Sequence, residues 1–152
     1  MTEQTVTVYT DGSCHTQLLH GAWAAIIFIE NEKVILQGVE TDTTHNRMEL
    51  QAVIHAILYL DKRGFNEKII HVYSDSQYVV NLTGRIEKLR QKQFITNKGT
   101  AIQNQDLVQQ LIALIESHKI RFTKVKAHQK DGDELNREVD IIVRKLLRKN
   151  YI

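Results

Sequence analysis

Cysteine occurs once, at Cys14, so no internal disulfide can form and no companion stands at the spacing of a zinc site. Proline is absent, where average usage predicts about seven or eight, so no proline-rich linker divides the chain. No apolar run approaches the roughly 18 to 20 residues that cross a bilayer. The opening Met1-Thr2-Glu3-Gln4 lacks the basic-then-apolar pattern of a secretion signal. These absences point to a cytoplasmic protein that makes no use of a membrane. Neither sign of charge dominates: 20 Lys plus Arg stand against 18 Asp plus Glu, a net charge of +2 that does not by itself imply a nucleic-acid partner.

What is present is ordinary globular material. The 152 residues are 42% hydrophobic and 25% charged, enough to bury one core, so residues 1–152 are expected to form a single domain. A monomer is expected, because no stripe of exposed apolar residues is evident in the pattern.

Hydrophobic periodicity orders the chain. Residues 5–9 alternate Val6 and Val8 with Thr and run into Asp11-Gly12-Ser13, a strand followed by a turn. Residues 22–30 and 33–40 are two further β-rich runs joined as a hairpin through Asn31-Glu32. Over 46–63 the period lengthens: Glu49, Ala52, Val53, Ala56, Ile57 and Leu60 fall on one helical stripe, with Gly64 placed to end it. A fourth strand over 68–74 meets Asp75, helices are expected over 76–82 and 103–116, a fifth strand over 120–125 and a last helix over 135–147. The order βββαβααβα implies an α/β domain. The helix between the third and fourth strands permits a crossover that sets the fourth parallel to the first, with Asp11 and Asp75 at neighbouring carboxyl ends.

Two helices then offer inward-facing acids. Glu49 shares the stripe of Val53, Ala56, Ile57 and Leu60, and Asp140 borders the stripe of the last helix, four residues after Asn136 and three before Val143. If the four acids converge, their repulsion raises their pKa values unless cations neutralise them, and oxygen-only ligands suit Mg²⁺ or Mn²⁺. Each acid alone has an ordinary reading: a turn dipeptide at Asp11-Gly12, a helix cap at Asp75, a dipole interaction at Glu49, a pair between Asp140 and Arg144.

At these residues the chain resembles the type 1 ribonucleases H. The matching segments are Tyr9-Thr10-Asp11-Gly12-Ser13-Cys14, Thr43-Thr44-His45-Asn46-Arg47-Met48-Glu49-Leu50, Tyr73-Ser74-Asp75-Ser76-Gln77-Tyr78, Val125-Lys126-Ala127-His128 and Asn136 through Asp140. They stand in the family's order and span most of the chain. The resemblance implies a ribonuclease H-like fold, a five-stranded mixed sheet with three antiparallel and two parallel strands flanked by helices. It further implies an endonuclease that hydrolyses the RNA strand of an RNA–DNA hybrid with two metal ions, leaving 5′-phosphate and 3′-hydroxyl ends. By resemblance Asp11, Glu49, Asp75 and Asp140 are the metal-binding catalytic acids and His128 is a loop histidine that moves protons or helps release product.

The same resemblance assigns Cys14, Asn46 and Gln77 to the minor groove, where the 2′-hydroxyl is read, and Thr44 and Asn104 to a phosphate of the DNA strand. Capping for Thr44 and Asn104, solvent exposure for Gln77 and packing for Cys14 compete with those roles. Between 85 and 98, Arg85, Lys88, Arg90, Lys92 and Lys98 face one acid, Glu87, where the family carries a basic protrusion that holds the hybrid; a solvated helix face is the alternative. The chain departs from the family in three places. Phe94 is the sole aromatic of a segment usually rich in tryptophan, His15 to Gly21 replace a run of glycines, and His45 replaces an asparagine. Two rival readings keep the fold: a ribonuclease H segment of a reverse transcriptase, and a hybrid-binding module without catalysis. Met1 and the domain length favour an independent protein over the first, and the complete acid set argues against the second.

Overall fold

The computed structural model describes residues 5–126 and 134–151. Five strands form one mixed sheet in the order β3-β2-β1-β4-β5: β1 (Thr5–His15), β2 (His20–Ile29), β3 (Glu32–Glu40), β4 (Ile69–Ser74) and β5 (Lys119–Lys124). The first three pair antiparallel, and β1–β4 and β4–β5 pair parallel. The helices are α1 (His45–Lys62), α2 (Gln77–Val80), α3 (Ile86–Gln91), α4 (Gln105–Ser117) and α5 (Glu134–Tyr151), with a 3₁₀ turn at Thr83–Arg85.

Side-chain alternation along the strands divides the core in two. Val6 and Val8 of β1, Ala25 and Ile27 of β2, and Ile70 and Val72 of β4 pack with the buried stripe of α1 and with Leu107, Val108, Leu111 and Ile112 of α4. Tyr9, Ala22, Ala24 and Ile26 face the other way, against Val139 and Val143 of α5. With helices on both faces, β2 is buried without a break from Gly21 to Ile27, as a strand covered on two sides must be.

Gly64 ends α1 as its position in the sequence suggests. It adopts φ +79°, its N–H donates to the Asp61 carbonyl at 3.0 Å, and the N–H of Phe65 reaches back to the Leu60 carbonyl at 2.9 Å. These two bonds satisfy the last carbonyls of the helix and need a residue that tolerates the left-handed region.

Three expectations are corrected. The first strand does not stop at Tyr9, and Asp11-Gly12 is not a turn: β2 supplies partners as far as His15, with Asp11 opposite Ala24 and Gly12 opposite Trp23. The second hairpin turns at Glu30-Asn31, because Ile29 still pairs with Glu32. The helix expected over 76–82 is only the short α2, and the basic segment after it folds into the 3₁₀ turn and α3, anchored by the buried Leu82 and Leu89.

Candidate active site

The parallel ladder between β1 and β4 ends at Thr10 and Ser74, so Asp11, still on β1, and Asp75, the residue after β4, come next beyond the pairing. Two residues before each acid, Tyr9 and Tyr73 stack with centroids 4.7 Å apart, which fixes the spacing of the two strands just below the carboxylates. Ser76, not Asp75, caps α2: its hydroxyl accepts from the Val79 N–H at 3.3 Å. Asp75 is thereby left to the strand end.

Glu49 arrives from α1. A Cβ added at Gly12 would lie 2.4 Å from the Met48 carbonyl carbon and 2.5 Å from the Glu49 nitrogen, so only glycine lets the helix backbone press so close to β1. The result brings carboxylate oxygens of Asp11, Glu49 and Asp75 within 4.8 Å of one another. Glu49 is fully buried, and neither of its carboxylate oxygens has a hydrogen-bond partner among the described residues. The Nε2 of His45, one turn earlier, lies 3.6 Å from Oε1.

Burial, and then repulsion from Asp75 and Asp140, pushes the Asp11 carboxyl up to about 8. Burial, followed by the charges of Asp11 and Asp75, holds Glu49 well above the usual carboxylate range. A solitary buried carboxylate without hydrogen bonds is costly, and three together are untenable when ionised unless a cation joins them. All the donors are hard oxygens, so a small divalent ion fits and a soft one does not.

Asp140 stands apart from this trio. It is one-quarter exposed, is close enough to act on Asp11 by charge, and meets Arg144 on the next turn of α5 at 2.8 Å. Ion pair and proximity to the cluster coexist.

Around the acids the other named residues are distributed as follows. Cys14 lies on β1 with its Sγ donating to the Thr43 carbonyl at 3.3 Å, and burial pushes its thiol up. Thr44 caps α1 by accepting from the Arg47 N–H at 3.1 Å, which leaves its hydroxyl proton to donate elsewhere. Asn46 is half-buried in the first turn of α1, and Gln77 is exposed at the start of α2. Asn104 precedes α4 at φ +59° and makes no side-chain cap bond. Arg85, Lys88 and Lys92 line a cavity of about 270 Å³ with Leu89, Ile95 and Ile102. Arg90 does not line it: its guanidinium makes a two-pronged pair with Glu116 of α4. His128 lies outside the described residues.

One contributor is absent from the sequence-derived set. Arg47 grips Asp106 through two hydrogen bonds of 3.0 and 2.9 Å, joining the amino end of α1 to that of α4. This clamp ties together the segments carrying Thr44 and Asn104. An arginine and an aspartate fifty-nine positions apart give no local signal that they meet.

The family model described as RNase H matches residues 3–148. The chain belongs to the ribonuclease H family. A ribonuclease H of Acetivibrio thermocellus is 37% identical over 147 residues, covering 95% of this chain and 96% of that one. One from a Thermoanaerobacter strain is 35% identical, covering 95% and 91%. Among solved structures, LC9-RNase H1, described as a type 1 ribonuclease H with the type 2 active-site motif, superposes with a TM-score of 0.80 at 23% identity, over 95% of this chain and 72% of that one. The sheet order and the helices on both faces are thus those of a ribonuclease H, and the chain is an enzyme of that family.

Proposed function

We propose that this ribonuclease H hydrolyses the RNA strand of RNA–DNA hybrids by two-metal chemistry, with Mg²⁺ or Mn²⁺ held by Asp11, Glu49, Asp75 and Asp140. The observation that carries this reading is the convergence of the fully buried Glu49 carboxylate with Asp11 and Asp75 within 4.8 Å. Held by these acids, divalent ions would supply acidification of a bound water and charge neutralisation at the phosphate, and hydrolysis of that kind would be expected to leave 5′-phosphate and 3′-hydroxyl ends.

The chain's own groups do the rest. Asp11 and Asp75 are fixed by the sheet and Glu49 by α1, so the acids are preorganised and little rearrangement is needed on binding. Asp140, on α5 and one-quarter exposed, would help to hold an ion, with Arg144 positioning its carboxylate. Thr44 and Asn104, tied together through Arg47 and Asp106, grip a phosphate of the DNA strand. Cys14, Asn46 and Gln77 line the approach to the minor groove, where the 2′-hydroxyl distinguishes RNA from DNA. Arg85, Lys88 and Lys92 draw in the hybrid backbone. His128 moves protons or helps release product.

The test incubates labelled RNA–DNA hybrid, duplex DNA and duplex RNA with the chain in Mg²⁺ and in chelator. Cutting restricted to the RNA strand of the hybrid, dependent on Mg²⁺ and lost in Asp11→Asn and Asp75→Asn, is expected. Equal cutting of all three duplexes, or activity retained in either variant, overturns the proposal.

A further inference from the structure

The β1–β2 hairpin ends in a tip that carries two consecutive exposed leucines, the two most exposed of the large apolar side chains among the described residues. Leu18 is 51% and Leu19 47% exposed, side by side at its end. The tip is braced: His15 Nδ1 accepts from the Leu18 N–H at 3.2 Å, and the Leu19 N–H donates to the His15 carbonyl at 2.8 Å. Leu19 adopts φ +55°, a left-handed conformation that is strained for a residue with a side chain and that glycine would adopt without strain. About half of this large apolar side chain is left to solvent in a strained turn.

The tip is coupled to the candidate substrate face. The Thr43 N–H donates to the Leu19 carbonyl at 3.0 Å, and the Thr43 carbonyl accepts from Cys14. Thr43 directly precedes Thr44, one of the two residues assigned to a DNA-strand phosphate. Along β1, His15 at the base of the tip lies four residues past Asp11, about 13 Å at strand rise, so tip and acids are carried by one strand.

We propose that Leu18 and Leu19 form an apolar wedge that packs against deoxyribose faces of the DNA strand in the minor groove of the hybrid. This rests on the hybrid-hydrolase reading above and names one of its specificity contacts. A deoxyribose presents a methylene at its 2′ position where a ribose presents a hydroxyl. Two leucines gain by covering the first and lose by desolvating the second. Apolar wedges are a recurrent device for gripping a minor groove. Two leucines offer far less than the roughly 800 Å² per partner of a stable protein interface, which disfavours a second copy of the chain as the occupant.

The test measures binding of a fluorescent hybrid by anisotropy in chelator, so that it does not depend on turnover. It compares the unaltered chain with Leu18→Ser and with Leu18→Ser/Leu19→Gly. Each protein is tested on a hybrid whose DNA strand is all deoxyribose and on one carrying two ribonucleotides at the contacted positions. Those positions are found by scanning the pair along the strand. The double variant is expected to bind the plain hybrid about tenfold more weakly. The ribonucleotide pair should weaken binding by the unaltered chain severalfold and by the double variant hardly at all, a coupling that separates contact from indirect damage. Leu19→Gly relieves the strained turn, so the melting temperature should not fall. Unchanged affinity, equal ribonucleotide penalties in both proteins, or a leucine-dependent dimer in sedimentation overturns the wedge. Cleavage of the plain hybrid in Mg²⁺ by the unaltered chain is followed in parallel. If it cuts and the leucines are silent, only the wedge fails; if it neither cuts nor binds hybrid, both fall.

Discussion

At the scale of single residues, Asp11 is the most informative group. Its ordinary value of 3.8 applies in the unfolded chain and about 8 in the folded one, so between those values the native state holds the extra proton. Stability therefore falls as pH rises through that window. Thermal melts in chelator should show the chain more stable near pH 5.5 than near pH 8, with Mg²⁺ recovering the loss at pH 8. Asp11→Asn should flatten that pH dependence and melt several degrees higher in chelator at pH 8, since about 1 kcal/mol moves the midpoint of a chain this size by roughly 2 to 4 °C. A steeper dependence in the variant would show that other groups carry it. Glu49→Gln should likewise raise the melting midpoint of the metal-free protein at alkaline pH, by removing a buried carboxyl that can ionise only at a cost, and abolish stabilisation by Mg²⁺. Calorimetric titration with the ion checks both halves.

Elements decide whether those residues meet. Gly12 is the point where α1 touches β1, and an added Cβ would strike helix backbone rather than a flexible side chain. Gly12→Ala should cost more than about 2 kcal/mol and depress hydrolysis, because α1 must shift and carry Glu49 with it; urea denaturation and kcat measure the two effects. Gly64→Ala makes a control at the far end of the same helix. It should cost about 1 kcal/mol through its positive φ while leaving kcat alone, as nothing stands within 4 Å of its missing Cβ.

Much of this was legible in the one-dimensional pattern. The inward Glu49 stripe, the Gly64 stop and the crossover to β4 all follow from periodicity. The run of β1 through Asp11-Gly12 does not, since a local reading sees a turn dipeptide and only the partner strand β2 overrides it. Arg47 with Asp106, and Arg90 with Glu116, were equally invisible, because long-range ion pairs leave no trace in spacing.

Across the whole molecule, charge is arranged more tellingly than its small net value suggests. Arg85, Lys88 and Lys92 share one cavity, whereas Arg90 is already neutralised by Glu116. The dependence of hybrid affinity on salt should register this difference. Lys88→Ala and Lys92→Ala should each reduce the slope of log K against log salt by about 1, and Arg90→Ala should leave it nearly unchanged. Equal slopes for all three would place Arg90 on the nucleic acid too. The molecule also leaves Ile35 and Val39 exposed on β3, one of the two edge strands, and Ile141 on α5. Charged Lys33 and Glu138 join across the same side at 2.5 Å, the kind of edge decoration that discourages unwanted strand pairing.

The position of β1 in the middle of the sheet carries one more consequence. Up to Thr10, just before Asp11, β1 is flanked by neighbours on both sides and by helices above and below, so amide protons there are expected to exchange through opening of the entire fold. Occupancy by an ion then taxes global opening, not a local breathing motion. Deuterium uptake along β1, α1 and β4 should slow by one common factor when Mg²⁺ is added.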